Sequence, residues 1–97
     1  KFTELEKQVL RNYFSKGINL EFLSDNCMTL HELCATILTN EIKFVQLDTL
    51  KGVIGSLTKK NIIQCDDCDE NGYNYIYPSC DFDWNTESYK AIISSVK

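Results

Sequence analysis

No apolar run in this chain approaches the roughly 18 residues needed to cross a bilayer, and the segment beginning Lys1-Phe2-Thr3-Glu4 is charged and amphipathic, unlike a signal peptide. A soluble, cytoplasmic protein with no membrane partner is the expectation. Internal repeats and low-complexity tracts are also absent. A chain of 97 residues, 43% hydrophobic and 25% charged with a single proline, fits one compact domain over residues 1–97 rather than a fibrous or disordered polymer. At this size roughly 60% of the unfolded chain's surface is buried on folding, enough for one modest core. There is no Gly-rich phosphate loop, no catalytic pair of carboxylates and no Ser-His-Asp arrangement. The sequence therefore points away from an enzyme and calls for no cofactor.

The cysteines lack the even count of a disulfide scaffold: Cys27, Cys34, Cys65, Cys68 and Cys80 are five, at irregular spacing, and are expected as reduced thiols. Cys65 and Cys68 have the C-x2-C spacing of two zinc ligands. No second such pair supplies the remaining two, and a separation of three residues sets the two thiols on opposite faces of a strand. A redox CxxC opens a helix, whereas this one falls in a hairpin. His31 and Cys34 have the spacing of a Cys–His nucleophile pair on one helical face, but Cys34 belongs to an apolar stripe and is read as core.

Basic residues are missing altogether from residues 61–88, where Asp66, Asp67, Asp69, Glu70, Asp81, Asp83 and Glu87 stand alone. Residues 41–60 carry the opposite sign, with Lys43, Lys51, Lys59 and Lys60 against Glu41 and Asp48. The overall charge of −4 therefore hides a polarised molecule. Its acidic part repels phosphates and attracts basic surfaces over about 8–10 Å at physiological salt.

Local signals order the elements. Thr3-Glu4-Leu5-Glu6 is a capping box opening a helix from about Thr3 to Lys16. Phe2, Leu5, Val9, Leu10, Tyr13 and Phe14 lie on its apolar face, Glu4, Lys7, Gln8 and Arg11 opposite, and Gly17 is its stop. Ile18–Phe22 alternates as a short strand. Thr29-Leu30-His31-Glu32 is a second capping box, and Leu30, Leu33, Cys34, Ile37 and Leu38 make the core stripe of a helix ending near Thr39 or Asn40. Glu41–Gln46 is a connector, with Ile42, Phe44 and Val45 packed inward.

A third helix, from about Leu47 to Lys60, buries Leu47, Leu50, Ile54 and Leu57. Its other side carries Gly52 and Gly55, each costing roughly 1 kcal/mol against alanine, which suggests a face open to close approach. Asn61 takes the left-handed cap position. A strand then runs from Ile62 to about Cys68, Asn71-Gly72 makes a two-residue hairpin turn, and counting back from it sets Cys68 opposite Tyr75 and Asp66 opposite Tyr77. Tyr73, Tyr75 and Tyr77 share one face of the return strand, which Pro78 ends. Asp83-Trp84-Asn85-Thr86 caps a last helix with Tyr89, Ile92, Ile93 and Val96 along one side. That side is explained by packing on its own domain or by dimerisation.

This order, with Leu47-Asp48-Thr49-Leu50 through Ser56-Leu57-Thr58-Lys59-Lys60-Asn61-Ile62-Ile63, resembles the recognition helix and following strand of winged helix-turn-helix proteins such as the MarR-like repressors, over roughly residues 29–79. The fold expected is therefore α+β, a small winged-helix domain with a short strand, a two-stranded acidic wing hairpin and a C-terminal helix. The resemblance implies a regulator of transcription that binds double-stranded DNA in the major groove, with Thr49, Lys51, Ser56, Lys59 and Lys60 as contacts. Three features depart from it. Asn61 stands where the family usually has glycine, the connector is longer than a tight turn, and Asp66, Asp67, Asp69 and Glu70 occupy the wing where relatives place Arg or Lys. The competing expectation is a protein-interaction module or inhibitor. In that reading Asp66, Asp67, Asp69 and Glu70, with Tyr73, Tyr75 and Tyr77, receive a basic partner surface.

Overall fold

The structure, a computed structural model, describes residues 2–41, 46–66 and 75–97. In chain order these are α1 (Glu4–Tyr13), a single 3-10 turn (Leu23–Asn26), β1 (Met28–Thr29), α2 (Leu30–Asn40), α3 (Leu47–Lys59), β2 (Ile63–Asp66), β3 (Tyr75–Pro78) and α4 (Thr86–Val96). Among the described residues this is a small α+β fold of four helices and one antiparallel sheet, with strands in the order β1-β3-β2.

Side-chain caps start three of the helices. Both threonine capping boxes form: Thr3 Oγ1 accepts from the Glu6 N–H and Thr29 Oγ1 from the Glu32 N–H, while each glutamate carboxylate accepts in return from its threonine's N–H. Asn85 and Ser88 make the equivalent reciprocal cap of α4. α3 ends as the asparagine foretold. Asn61 has φ +60°, its N–H reaches the Thr58 carbonyl, and the Ile62 N–H reaches the Leu57 carbonyl. This is the paired closure of a left-handed helix end, sealed by contact between buried Leu57 and Ile62. Gly17, at φ +85°, reverses the chain after α1, although that helix stops at Tyr13 rather than Lys16.

The core joins Val9, Leu10, Tyr13 and Phe14 of the first helical segment to Leu30, Leu33 and Ile37 of α2, Leu50, Ile54 and Leu57 of α3, Ile63 and Ile76 of the sheet, and Ile92 and Val96 of α4. The stripe of α4 is thus spent largely on its own domain. Phe14 meets Trp84 and Tyr89 edge-on with ring centres 5.8 and 5.5 Å apart, a geometry that contributes about 0.5–1.5 kcal/mol per pair beyond burial.

Four sequence expectations are corrected. Ile18–Phe22 is not a strand; its backbone is taken by asparagine side chains instead. Asn19 Oδ1 accepts from the Glu21 and Phe22 N–H groups, and the Asn26 amide bonds both the N–H and the carbonyl of Asn19. The strand that joins the sheet is Met28–Thr29, paired with Ile76 and Tyr75. Second, Tyr75 faces Asp66 and Tyr77 faces Gln64, a register two residues from the one counted from Asn71-Gly72. It sets buried Ile63 opposite Pro78 and Cys65 opposite Ile76 while keeping every side chain on its original face. The turn itself lies outside the described residues, as do Ile42, Phe44 and Val45.

Third, Leu5 and Leu38 are 42% and 50% exposed, and Leu47 is also at the surface. Fourth, Gln8, read opposite the apolar face of α1, is buried; the capping glutamate Glu6 is buried too, to 2% exposure. Glu6 holds its inward position because donors meet both of its carboxylate oxygens there.

Gly52 and Gly55 are exposed on α3, and a Cβ at either would meet nothing within 4 Å among the described residues. Gly52→Ala and Gly55→Ala should therefore each stabilise the isolated domain by up to about 1 kcal/mol through helix propensity alone. Urea unfolding checks this, and a loss of stability in either variant would show that the space is occupied.

Candidate functional site

The five candidate DNA contacts all lie on α3 or its cap, and the fold divides them. Thr49, Lys51 and Lys59 are exposed. Lys51 lines a groove of about 170 Å³ with Leu30, Ile54, Gly55, Thr58 and Cys65. This groove runs between the start of α2, the flank of α3 and strand β2, so α3 presents a basic residue and an open glycine beside the sheet. Lys59 stands on the solvent side of the last turn.

Ser56 and Lys60 turn toward α1. Ser56 Oγ donates to Glu6 Oε2 at 2.7 Å, and Lys60 Nζ lies 2.7 Å from Glu6 Oε1. The Lys60 ammonium also lies over the Phe2 ring, 5.5 Å from its centre. Burial by itself pushes the Glu6 carboxyl up. Hydrogen bonds from Lys60, the Thr3 N–H and Ser56, together with the lysine's charge, outweigh it and hold the group at about 2. Sequence spacing could not reveal this, since α1 and α3 meet only in the tertiary fold.

A second, half-buried carboxylate closes the other side of α1. Glu41, the residue that caps α2, receives Arg11 Nε at 3.0 Å and Nη2 at 2.8 Å, a two-pronged contact, and Asn12 Nδ2 at 2.9 Å. Gln8 Nε2 reaches it at 3.4 Å. Arg11 Nη1 donates to the Val96 carbonyl at 3.2 Å, placing a cation at the C-terminal end of α4, while Asn40 Nδ2 donates to Asn12 Oδ1 at 3.1 Å. The Arg11 hydrogen bonds outweigh desolvation, and with Asn12 and Gln8 they hold Glu41 at about 2. Buried Gln8 Oε1 has no hydrogen-bond partner among the described residues. The sequence reading placed Arg11 and Gln8 on the solvent face of α1; they are the pins that join it to α2 and α4.

On the sheet, Tyr75 and Tyr77 are half-buried on the face away from Ile63 and Ile76, Tyr75 beside Asp66. Of the candidate protein-binding set, Asp67, Asp69, Glu70 and Tyr73 lie outside the described residues. Cys65 is exposed in the α3 groove, and Cys68, its zinc-candidate neighbour, is likewise outside. Among the described residues no group of three or more His, Cys, Asp or Glu side chains is placed to hold a metal. Cys34 is half-buried against the core, as read. Burial and the charges of Glu32 and Asp66 push the Cys27 thiol up, keeping it protonated. No helix among the described residues is long and apolar enough to cross a membrane.

Comparison of the chain with protein-family models, with curated proteins and with solved structures finds no match in any of the three.

Glu6 and Glu41 both fall from the ordinary 4.5 to about 2 in the folded chain. The unfolded state therefore binds more protons in between, and the stability these groups contribute is complete above pH 4.5 and lost as pH falls toward 2. Glu41→Gln should lower stability at pH 7 and give a shallower decline over that acid range, as read by urea unfolding at stepped pH. An unchanged acid profile would remove Glu41 from this role. Arg11→Ala should cost about 2 kcal/mol at pH 7 by leaving the carboxylate short of its main partner.

Proposed function

We propose that the chain is a non-catalytic winged helix-turn-helix domain of regulatory type, with α3 as the recognition helix offered to double-stranded DNA. The observation that carries this reading is topological. Two helices, α2 and α3, lead into the β2–β3 hairpin, and the short β1 ahead of α2 pairs back onto β3, giving the order β1-β3-β2. Among the described residues nothing covers the outer side of α3: Thr49, Lys51 and Lys59 are exposed and no described atom lies within 4 Å of the open faces of Gly52 and Gly55. A duplex needs such a helix, one whose backbone it can approach closely.

A second reading, a protein-binding module on the same scaffold, is favoured by a specific observation. Ser56 and Lys60 are committed to Glu6, which leaves Lys51 and Lys59 as the basic residues that α3 offers to phosphates. Residues 61–88 carry only acidic charges. The partner in that case is a basic protein surface, met by Asp66 with Tyr75 and Tyr77.

The two readings separate by fluorescence anisotropy of a labelled duplex at stepped salt. Two lysine–phosphate contacts give a log–log slope of about −2, and Lys51→Ala and Lys59→Ala each reduce its magnitude by about 1. Gly55→Ala should stabilise the domain yet weaken binding, because its methyl stands on the face the duplex approaches. Absence of binding at low salt would overturn the DNA reading and favour the protein partner.

A further inference from the structure

We infer that α3 pairs antiparallel with α3 of a second copy of this chain, through the stripe Asp48, Gly52, Gly55 and Lys59. The inference stands apart from the DNA reading; where both hold, duplex and second copy exclude one another on the same face. At intervals of four, three and four residues these positions fall within roughly 60° of each other around an α-helix. All four are exposed, on the side of α3 opposite buried Leu50, Ile54 and Leu57. Among the described residues no ion pair engages Asp48 or Lys59.

Self-complementarity names the occupant. Gly52 and Gly55 have the same midpoint along the chain as Asp48 and Lys59. A two-fold axis at that midpoint sets Gly52 against the partner's Gly55 and Asp48 against the partner's Lys59, each contact made twice. Like charges then stay about 16 Å apart along the helices, beyond the screening length of about 8 Å. A parallel pair would instead bring each charge to its own kind. The helix dipole accounts for an acid in the first turn and a base in the last, but it does not place both on the line of the glycines. No described atom lies within 4 Å of a Cβ at either glycine, so two backbones can close there toward the lower end of the roughly 8–10 Å separation of packed helices. Thr49 and Lys51 stay at the rim. One helix pair about 20 Å long is a small interface, so the dimer is transient and forms with rising concentration.

Sedimentation equilibrium of the native chain, Asp48→Lys, Lys59→Asp and an equimolar mixture of these two variants tests the pairing, with circular dichroism to confirm folding. The native chain should dimerise with a Kd below about 1 mM. Each charge reversal alone turns both ion pairs into repulsions and should weaken the dimer at least about tenfold. The mixture restores both pairs between unlike copies and should associate as the native chain does. Gly52→Ala, which keeps the fold, should weaken the native dimer severalfold by holding the backbones apart. A native chain that stays monomeric up to about 1 mM overturns the inference whatever the duplex titration shows. So does native-strength association in either single reversal, which would place the contact elsewhere, or a mixture that associates no better than its components.

Discussion

Two carboxylates on either flank of α1, Glu6 buried and Glu41 half-buried, set the geometry of the domain. Glu41 fastens α1 to the end of α2 through Arg11, Asn12 and Gln8, and Arg11 carries the connection on to the Val96 carbonyl of α4. Glu6 fastens α1 to the end of α3 through Ser56 and Lys60. Hydrophobic packing alone tolerates rotation and sliding of helices. A carboxylate that must be met by several donors does not, because each lost donor leaves desolvated charge behind. The apolar core brings the helices together, and the two acids fix where along α1 each neighbour stops.

That division of labour reaches the surface. α3 is gripped on one flank by Glu6 and on its core side by Leu50, Ile54 and Leu57, so the side left to a partner is the one bearing Lys51, the two glycines and Lys59. Mid-helix glycines are poor for stability. Here nothing among the described residues fills the space they leave, so packing against those residues gives them no purpose. A close-approaching partner would, and this is the physical link between an internal staple and an interface.

Much of the architecture was legible because it is written in local chemistry. Capping boxes at Thr3 and Thr29, the left-handed Asn61 and the apolar stripes of α2, α3 and α4 depend on neighbours within a few residues, and spacing reports them well. What escaped depends on distant partners. Glu6, Gln8 and Arg11 carry the pattern of a solvated helix face, and nothing local distinguishes a glutamate in water from one met by a lysine 54 positions on. Ile18–Phe22 alternates like a strand, yet Asn19 and Asn26 satisfy its backbone first. The hairpin register was misplaced because the turn dipeptide alone was given the decision, and a two-residue shift keeps Ile63 and Ile76 on the same face, so the apolar pattern could not correct it. Of the proposed site, the exposure of Lys51 and Lys59 could be read from the helical pattern, and the withdrawal of Lys60 and Ser56 could not.

Charge then decides how such a scaffold can be used. A DNA-binding surface gains most of its non-specific affinity from the number of phosphates it neutralises, and α3 leaves only two exposed lysines for that purpose while acidic residues follow it along the chain. On the proposed reading the consequence is a regulator that holds random sequence weakly, because long-range attraction is small and the acidic hairpin opposes it. Occupancy of a target must then come from short-range fit of α3 in the groove, where Thr49 and the bare backbone at Gly52 and Gly55 act. A weak electrostatic background raises the ratio of specific to non-specific binding, and that ratio, rather than affinity alone, governs the search for a site among many competitors.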